Sequence, residues 1–149
     1  MPKKQQLYDF CQTFIEARIS RIRNTIKDIQ ESLNSETKSS AGDKHETGRA
    51  MLQLEREKMG QQLAEAEKIK MVLAKVGLEN KSRTVGLGSW VKTSKADYFL
   101  SISAGEYKDN STSIFCISTG TPIGRLLLGK SERDTIIFNQ EEIKIIKVQ

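Results

Sequence analysis

Ile15, Ile19, Ile22, Ile26, Ile29 and Leu33 follow one another at steps of 4, 3, 4, 3 and 4 residues, and no other feature limits the fold as tightly. Apolar residues at that spacing form the narrow a/d seam of a coiled coil rather than the broad stripe of a helix lying on a globular core. Polar residues (Glu16, Arg18, Arg21, Arg23, Lys27, Asp28, Gln30 and Glu31) fill the other faces, and neither Pro nor Gly interrupts the run. Such a seam needs a second helix to cover it. The same chain supplies one. Leu52, Met59, Leu63, Ala66 and Leu73 share a second 4-3 frame that passes through Arg56 and Lys70, whose stems can snorkel outward and leave the frame intact. Gly77 and the polar run Glu79-Asn80-Lys81-Ser82 close that segment. Two helices of similar length joined by a short polar turn are predicted to fold back as an antiparallel hairpin. An arm of about 27 residues at about 1.5 Å each reaches roughly 40 Å, which would carry the turn far from the rest of the chain. Pairing within one chain predicts a monomer, against the alternative of a coiled-coil dimer.

The turn itself lies in the Ser- and Thr-rich stretch that begins at Asn34, with helical periodicity expected again after Gly48. It contains Ala41-Gly42-Asp43-Lys44-His45-Glu46-Thr47-Gly48-Arg49. Asp43 and Glu46 stand three residues apart, a spacing that also makes a capping box for the second helix. Lys44, His45 and Arg49 have the composition of solvated turn residues.

After Ser82 the pattern shifts from helical periods to short β-rich runs. Val85 to Thr93, Tyr98 to Ser103, Ser113 to Ser118, Thr135 to Asn139 and Ile143 to Val148 are predicted strands, with turns at Asp109-Asn110-Ser111 and Asn139-Gln140-Glu141. Between the third and fourth runs, Thr121 suits an N-cap, Pro122 the first helical position and Gly129 the position after the last turn, so one short helix is expected there. Its leucines would lie on one face of the sheet. The fold class is therefore α+β: a long antiparallel helical hairpin over residues 1–80, then a small β-sheet domain with one short helix over 81–149. So small a domain must draw its core from that helix, the sheet and Trp90, with the base of the hairpin available to add to it.

Composition narrows the function. Only 37% of the 149 residues are hydrophobic, which fits a partly extended shape, and a formal charge of +5 favours an acidic partner such as a nucleic acid or a nucleic-acid enzyme. Arg18, Arg21 and Arg23 are candidates for such contact, although runs of charge are most often solvated faces. With a single histidine, His45, no His-rich metal constellation can be assembled, and a Ser-His-Asp triad would have to be built on a polar turn. Cys11 and Cys116 are far apart and outside any CxxC, which suggests neither a zinc site nor a disulfide framework and points to a reducing cytoplasm. No apolar run approaches about 18 residues, so no membrane association is expected.

Arranged in this order, the chain resembles the Gre family of bacterial transcript-cleavage factors (the GreA/GreB type) over nearly its whole length. Gly42-Asp43-Lys44-His45-Glu46 is similar to the family's Gly-Asp-x-x-Glu hairpin tip. Ile117-Ser118-Thr119-Gly120-Thr121-Pro122-Ile123-Gly124-Arg125-Leu126-Leu127-Leu128-Gly129-Lys130 is similar to its longer and more specific signature, Ile-Ser-x-x-(Ser/Thr)-Pro-(Ile/Leu)-x-x-x-(Leu/Ile)-(Leu/Ile)-Gly-Lys. The resemblance implies an FKBP-like second domain that binds RNA polymerase at the mouth of its secondary channel, with Thr121, Pro122, Ile123, Gly129 and Lys130 as partner-binding residues. It implies that the hairpin enters the channel and that Asp43 and Glu46 there help to hold a second Mg²⁺ beside the polymerase's own catalytic aspartates. Water then attacks the backtracked RNA near its 3′ end. On this reading Asp43 and Glu46 are the catalytic and metal-directed pair, Mg²⁺ is held only in complex with the polymerase, and the chain is no enzyme by itself. The chemistry is consistent: Mg²⁺ is commonly held by one or two carboxylates with phosphate oxygens and water, so a two-carboxylate tip supplies part of a shell that a partner must complete.

One departure bears on mechanism. Family tips continue after the Glu with an Asn-Ala-Glu-Tyr-like run, whereas this chain continues Thr47-Gly48-Arg49-Ala50 and lacks the further acid and the aromatic. That loss touches cleavage more than polymerase binding. It motivates the alternative of a secondary-channel regulator of the DksA-like kind that does not stimulate cleavage. A peptidyl-prolyl isomerase, a reading that FKBP-like folds invite, is disfavoured because the aromatics are few and spread along the domain.

Overall fold

A computed structural model of the chain describes residues 3–37, 43–79 and 82–149; the side chains at 36, 37 and 43–45 also lie outside the described set. Two long helices, α1 (Lys4–Thr37) and α2 (Asp43–Ala74), precede β1 (Trp90–Thr93), β2 (Asp97–Ser101), β3 (Gly105–Asp109), β4 (Thr112–Ser118), α3 (Pro122–Leu127), β5 (Thr135–Phe138) and β6 (Glu141–Val148). The expected α+β order of a helix pair, a sheet and one short helix is present. These elements form two compact units, one made of Ile15–Lys70 and the other of Met1–Phe14 with Met71–Gln149.

In the helical unit the two helices run antiparallel, since Glu16 pairs with Lys70, Arg23 with Glu67, and Arg49 with the backbone of Leu33. Ile15, Ile19, Ile22, Ile29 and Leu33 are buried and Ile26 is half-buried, as the seam requires. The α2 frame is looser. Ala66 is buried, while Leu52, Arg56, Met59 and Leu63 are half-buried. Lys70 does snorkel, with its ammonium 3.9 Å from Glu16 Oε1 and its side chain about half exposed. Ion pairs this exposed contribute at most about 1 kcal/mol each, so the apolar seam supplies most of the stability.

The other unit holds a six-stranded sheet in the order β3-β4-β2-β1-β6-β5. β2 and β4 are parallel and every other neighbour is antiparallel. β3 was not expected as a strand: Gly105-Glu106-Tyr107-Lys108-Asp109 has little apolar content, and it pairs with β4 as an edge strand whose side chains are largely outside the core. The first predicted strand begins only at Trp90, because Gly88 takes φ +92° and breaks the extended run; a β-carbon there would come within 3.2 Å of the Gly77 carbonyl. The predicted turn at Asn139 is a two-residue loop closed by the pairing of Phe138 with Glu141. Asn139 and Gln140 both have positive φ, 53° and 65°, the conformation whose twist matches a hairpin. β6 carries a phase change: pairing with β1 shifts register between Lys92 and Thr93, which brings Ile143, Ile145 and Val148 all inward and leaves Ile146 about half exposed.

Both faces of the sheet are covered. On one, Val91, Leu100, Ile136, Ile143, Ile145 and Val148 form a core with Val85 and with Ile123 and Leu127 of α3. Only Leu127 of the three consecutive leucines is buried; Leu126 and Leu128 are more than a third exposed, since a helix of under two turns offers one position per turn to the sheet. On the other, Phe99, Ser101, Ile114 and Cys116 are buried, and the first turns of α1 meet them. Cys11 Sγ lies 3.4 Å from Ser101 Oγ, and the Phe10 ring stands edge-on to Tyr107 at 5.4 Å. Trp90 is buried on this second face, opposite Phe99 in the β1–β2 ladder, with its indole Nε1 donating to Asp97 Oδ2 at 3.3 Å.

Two outcomes follow from this packing. Gly124→Ala would place a β-carbon 2.4 Å from the Ser118 carbonyl oxygen, and such a clash with backbone is expected to cost about 1–3 kcal/mol, read as a lower midpoint in urea unfolding with little change in slope. Arg49→Ala removes a charged hydrogen bond to the Leu33 carbonyl at 3.1 Å and should lower the stability of the helix pair by about 1–2 kcal/mol, measured by thermal melting followed at 222 nm.

Candidate functional site

Asp43 is the first residue of α2, and Glu46 lies one turn further on and is exposed. The tip acids therefore sit on the opening turn of a helix rather than inside a polar loop, five residues before the expected return of periodicity at Gly48. The reason is local. Acidic residues are favoured in a first turn, where backbone N–H groups point outward and the helix dipole is positive. Gly48 in a helix interior costs only about 1 kcal/mol, which a helix of 32 residues tolerates. On a helix, residues three apart have neighbouring β-carbons, so the backbone sets positions 43 and 46 on one side of the turn. Gly42 and the Asp43, Lys44 and His45 side chains lie outside the described residues.

Arg49 has a structural task. Its Nη1 donates to the Leu33 carbonyl near the C-terminal end of α1, where the negative end of the helix dipole favours a cation. The arginine thus clips the start of α2 to the last turns of α1, next to the acids. Arg23, a candidate for nucleic-acid contact, pairs with Glu67 at 3.0 Å. Among the described residues, no group of three or more His, Cys, Asp or Glu side chains is placed to hold a metal ion.

The residues of the long signature shape the β4–α3 corner. Thr121 Oγ1 donates to the Ser118 carbonyl at 2.8 Å and accepts from the Gly124 N–H at 3.1 Å, capping α3, and Pro122 follows in the first turn. Ile123 is in the core. Gly129, at φ +79°, donates its N–H to the Val85 carbonyl, and Val85 donates back to the Lys130 carbonyl. Pro122, Gly129 and Lys130 are exposed and Thr121 half-exposed, while Ile123 is committed to packing.

A groove of about 450 Å³ opens beside Trp90, Lys92, Lys95, Asp97 and Phe115. Lys95 and Asp97 are already engaged. Lys95 lies 2.6 Å from Glu141, and the hydrogen bond and charge of that carboxylate hold its ammonium above the usual lysine value. Asp97 accepts from Trp90. Two aromatic side chains beside paired charges do not make an apolar prolyl pocket.

The encounter of the two cysteines was not anticipated from residue order. Both are free and buried. The Cys116 side chain lowers the Cys11 thiol despite the opposing effect of burial, with Ser101 adding to the lowering. Cys11 and burial together push Cys116 up. A usable signal was present, because Cys11 continues the four-residue spacing of Leu7 and Ile15 while Cys116 alternates in β4 with Ile114, so both fall on core-facing positions.

No helix among the described residues is long and apolar enough to cross a membrane. No protein-family model matches the sequence, and no curated protein matches it. Among solved structures, the GreA factor homolog 1 (Gfh1) of Thermus thermophilus is similar over 91% of this chain and 92% of its own, at 18% identity and a TM-score of 0.37. Gfh1 of Thermus aquaticus is similar over 94% of each chain, at 16% identity and a TM-score of 0.37. A further structure, described as the transcription factor Gfh1, covers 90% of each chain at 18% identity and a TM-score of 0.35. At these levels of identity and superposition the functional reading rests on the chain's own residues.

Proposed function

We propose that this chain is a Gre-type transcription factor that binds RNA polymerase, inserts the turn between α1 and α2 into the secondary channel, and stimulates Mg²⁺-dependent cleavage of backtracked RNA. One observation carries the reading: two separate motifs fall on the elements such a factor needs. The Asp43-x-x-Glu46 pair opens α2 beside the turn of an antiparallel helix pair, and the 117–130 signature builds the β4–α3 corner of a separate sheet unit. Asp43 and Glu46 would serve as hard oxygen ligands for a Mg²⁺ whose remaining shell the polymerase and RNA phosphate would complete. Such an ion, when bound, would supply a lowered water pKa and stabilisation of a leaving oxygen. This chain contributes position and two negative charges, with no nucleophile of its own. The polymerase grips the corner through Thr121, Pro122, Gly129 and Lys130, with Ile123 fixing their backbone from within the core. The factor acts in the cytoplasm as a monomer.

A second reading, a channel-binding regulator that does not stimulate cleavage, is favoured by the residues after Glu46. The further acid and aromatic of the family tip are absent, and Arg49, which follows Thr47 and Gly48, is engaged with the Leu33 carbonyl.

Stalled, backtracked polymerase complexes supplied with Mg²⁺ separate the two. Under the first reading the wild-type protein shortens the RNA, while the Asp43→Ala/Glu46→Ala double variant loses about 10–100-fold in cleavage rate, as removal of metal-directed groups does, and still binds the polymerase. If the wild-type factor binds without shortening RNA, and the double variant changes pausing or initiation as strongly as wild type, the regulator reading holds and the cleavage reading is lost.

A further inference from the structure

Cys11 and Cys116 lie 105 positions apart in sequence yet meet where the first turns of α1 lie on the sheet. The contact is fixed from three directions. Cys11 Sγ sits 3.4 Å from Ser101 Oγ on β2. In the parallel β2–β4 ladder, Cys116 stands opposite Phe99, two residues from Ser101 and on the same face, so a side chain reaching Ser101 from α1 also reaches Cys116. The neighbouring Phe10–Tyr107 ring contact holds α1 in that register from the β3 side. Both thiols are almost fully buried, at 0% and 2% exposure, and each shifts the titration of the other.

We propose that Cys11 and Cys116 are a redox pair that a peroxide converts to an intramolecular disulfide, reversibly tying α1 to β4. The proposal is independent of the transcription reading. Cys11 is the attacking sulfur, because Cys116 and Ser101, whose Oγ lies 3.4 Å away, lower its thiol while Cys116 is pushed up, and the thiolate is the nucleophile. It attacks one peroxide oxygen, the O–O bond breaks, and the leaving hydroxide takes a proton and departs as water, leaving Cys11 as a sulfenic acid. The Cys116 sulfur then attacks the Cys11 sulfur; the S–O bond breaks, an S–S bond forms, and the Cys116 proton leaves with the oxygen as a second water. Two thiols and one peroxide yield one disulfide and two waters, and the two electrons lost by sulfur reduce the peroxide. Burial sets the rate without preventing the reaction, because peroxide reaches the pair when the packed start of α1 opens transiently. A resolving thiol in direct contact should outrun further oxidation of the sulfenic acid.

The test uses the full wild-type chain, folded, treated with hydrogen peroxide, alkylated and digested without reductant. Mass spectrometry should find the Cys11 and Cys116 peptides joined and two hydrogens lighter, in a protein that remains monomeric on a non-reducing gel and returns to free thiols with dithiothreitol. Because a bond between residues 11 and 116 closes most of the chain into one loop, the oxidised protein should melt higher by on the order of 10 °C. In Cys116→Ser, where no resolving thiol remains, the Cys11 sulfenic acid should be trapped by dimedone. Recovery of both cysteines as free thiols, as sulfinic or sulfonic acids, or as a disulfide between two copies of the chain would overturn the proposal. The wild-type peptide map decides the matter even if the serine variant does not fold.

Discussion

A six-stranded sheet with apolar residues on both faces must be covered twice, and this chain has only one short helix to give it after the strands begin. α3 covers the face that holds Val91, Leu100, Ile143 and Ile145. The opposite face, with Phe99, Ile114 and Cys116, would meet water without the first turns of α1. A protein of this size sits only a few kcal/mol above unfolding, and a single buried Phe accounts for about 3–5 kcal/mol when truncated, so the second cover is a requirement. The start of α1 thus belongs to the sheet unit while its remainder forms the seam with α2.

The long signature between residues 117 and 130 is best understood through the corner it builds. Strand β4 must stop, reverse and start a helix within four residues. Thr121 bridges the Ser118 carbonyl and the Gly124 amide, Pro122 fixes the first turn, and Gly124 is required because its missing side chain is where the Ser118 carbonyl lies. Gly129 then turns the backbone through positive φ so that residues 129 and 130 bond to Val85 on both its N–H and its carbonyl. A motif of this density presents a fixed surface at Pro122 and Lys130 as a by-product of its own stability.

At the other end of the chain the design is sparser. Glu46 is exposed, and the visible support of its helix start is Arg49 on the Leu33 carbonyl. Two carboxylates bind a divalent cation weakly by themselves, because most of the coordination shell would be water. Their chemistry therefore depends on what is brought up against them.

Much of the fold was legible in residue order. The 4-3 spacing of Ile15 to Leu33 announced a helix with a narrow seam, and every seam residue from Ile15 to Leu33 is buried or half-buried; Thr121-Pro122 and Gly129 bounded α3 to within a residue or two. These features are local, because capping, proline geometry and helical period act over one or two turns. β3 was missed because an edge strand needs little apolar content, and Leu126 and Leu128 were placed on the sheet although a short helix can bury only one of the three. The spacing of Asp43 and Glu46 was equally readable, whereas their place on the first turn of α2 had to await the helix itself. What the tertiary structure alone decided are the encounters across long sequence separations: Arg49 on Leu33, Phe10 on Tyr107, Cys11 on Ser101 and Cys116. Periodicity tells a side chain which way to face, but the neighbour it meets is set by strand order and register, and those depend on the summed burial of the whole sheet rather than on any stretch of sequence.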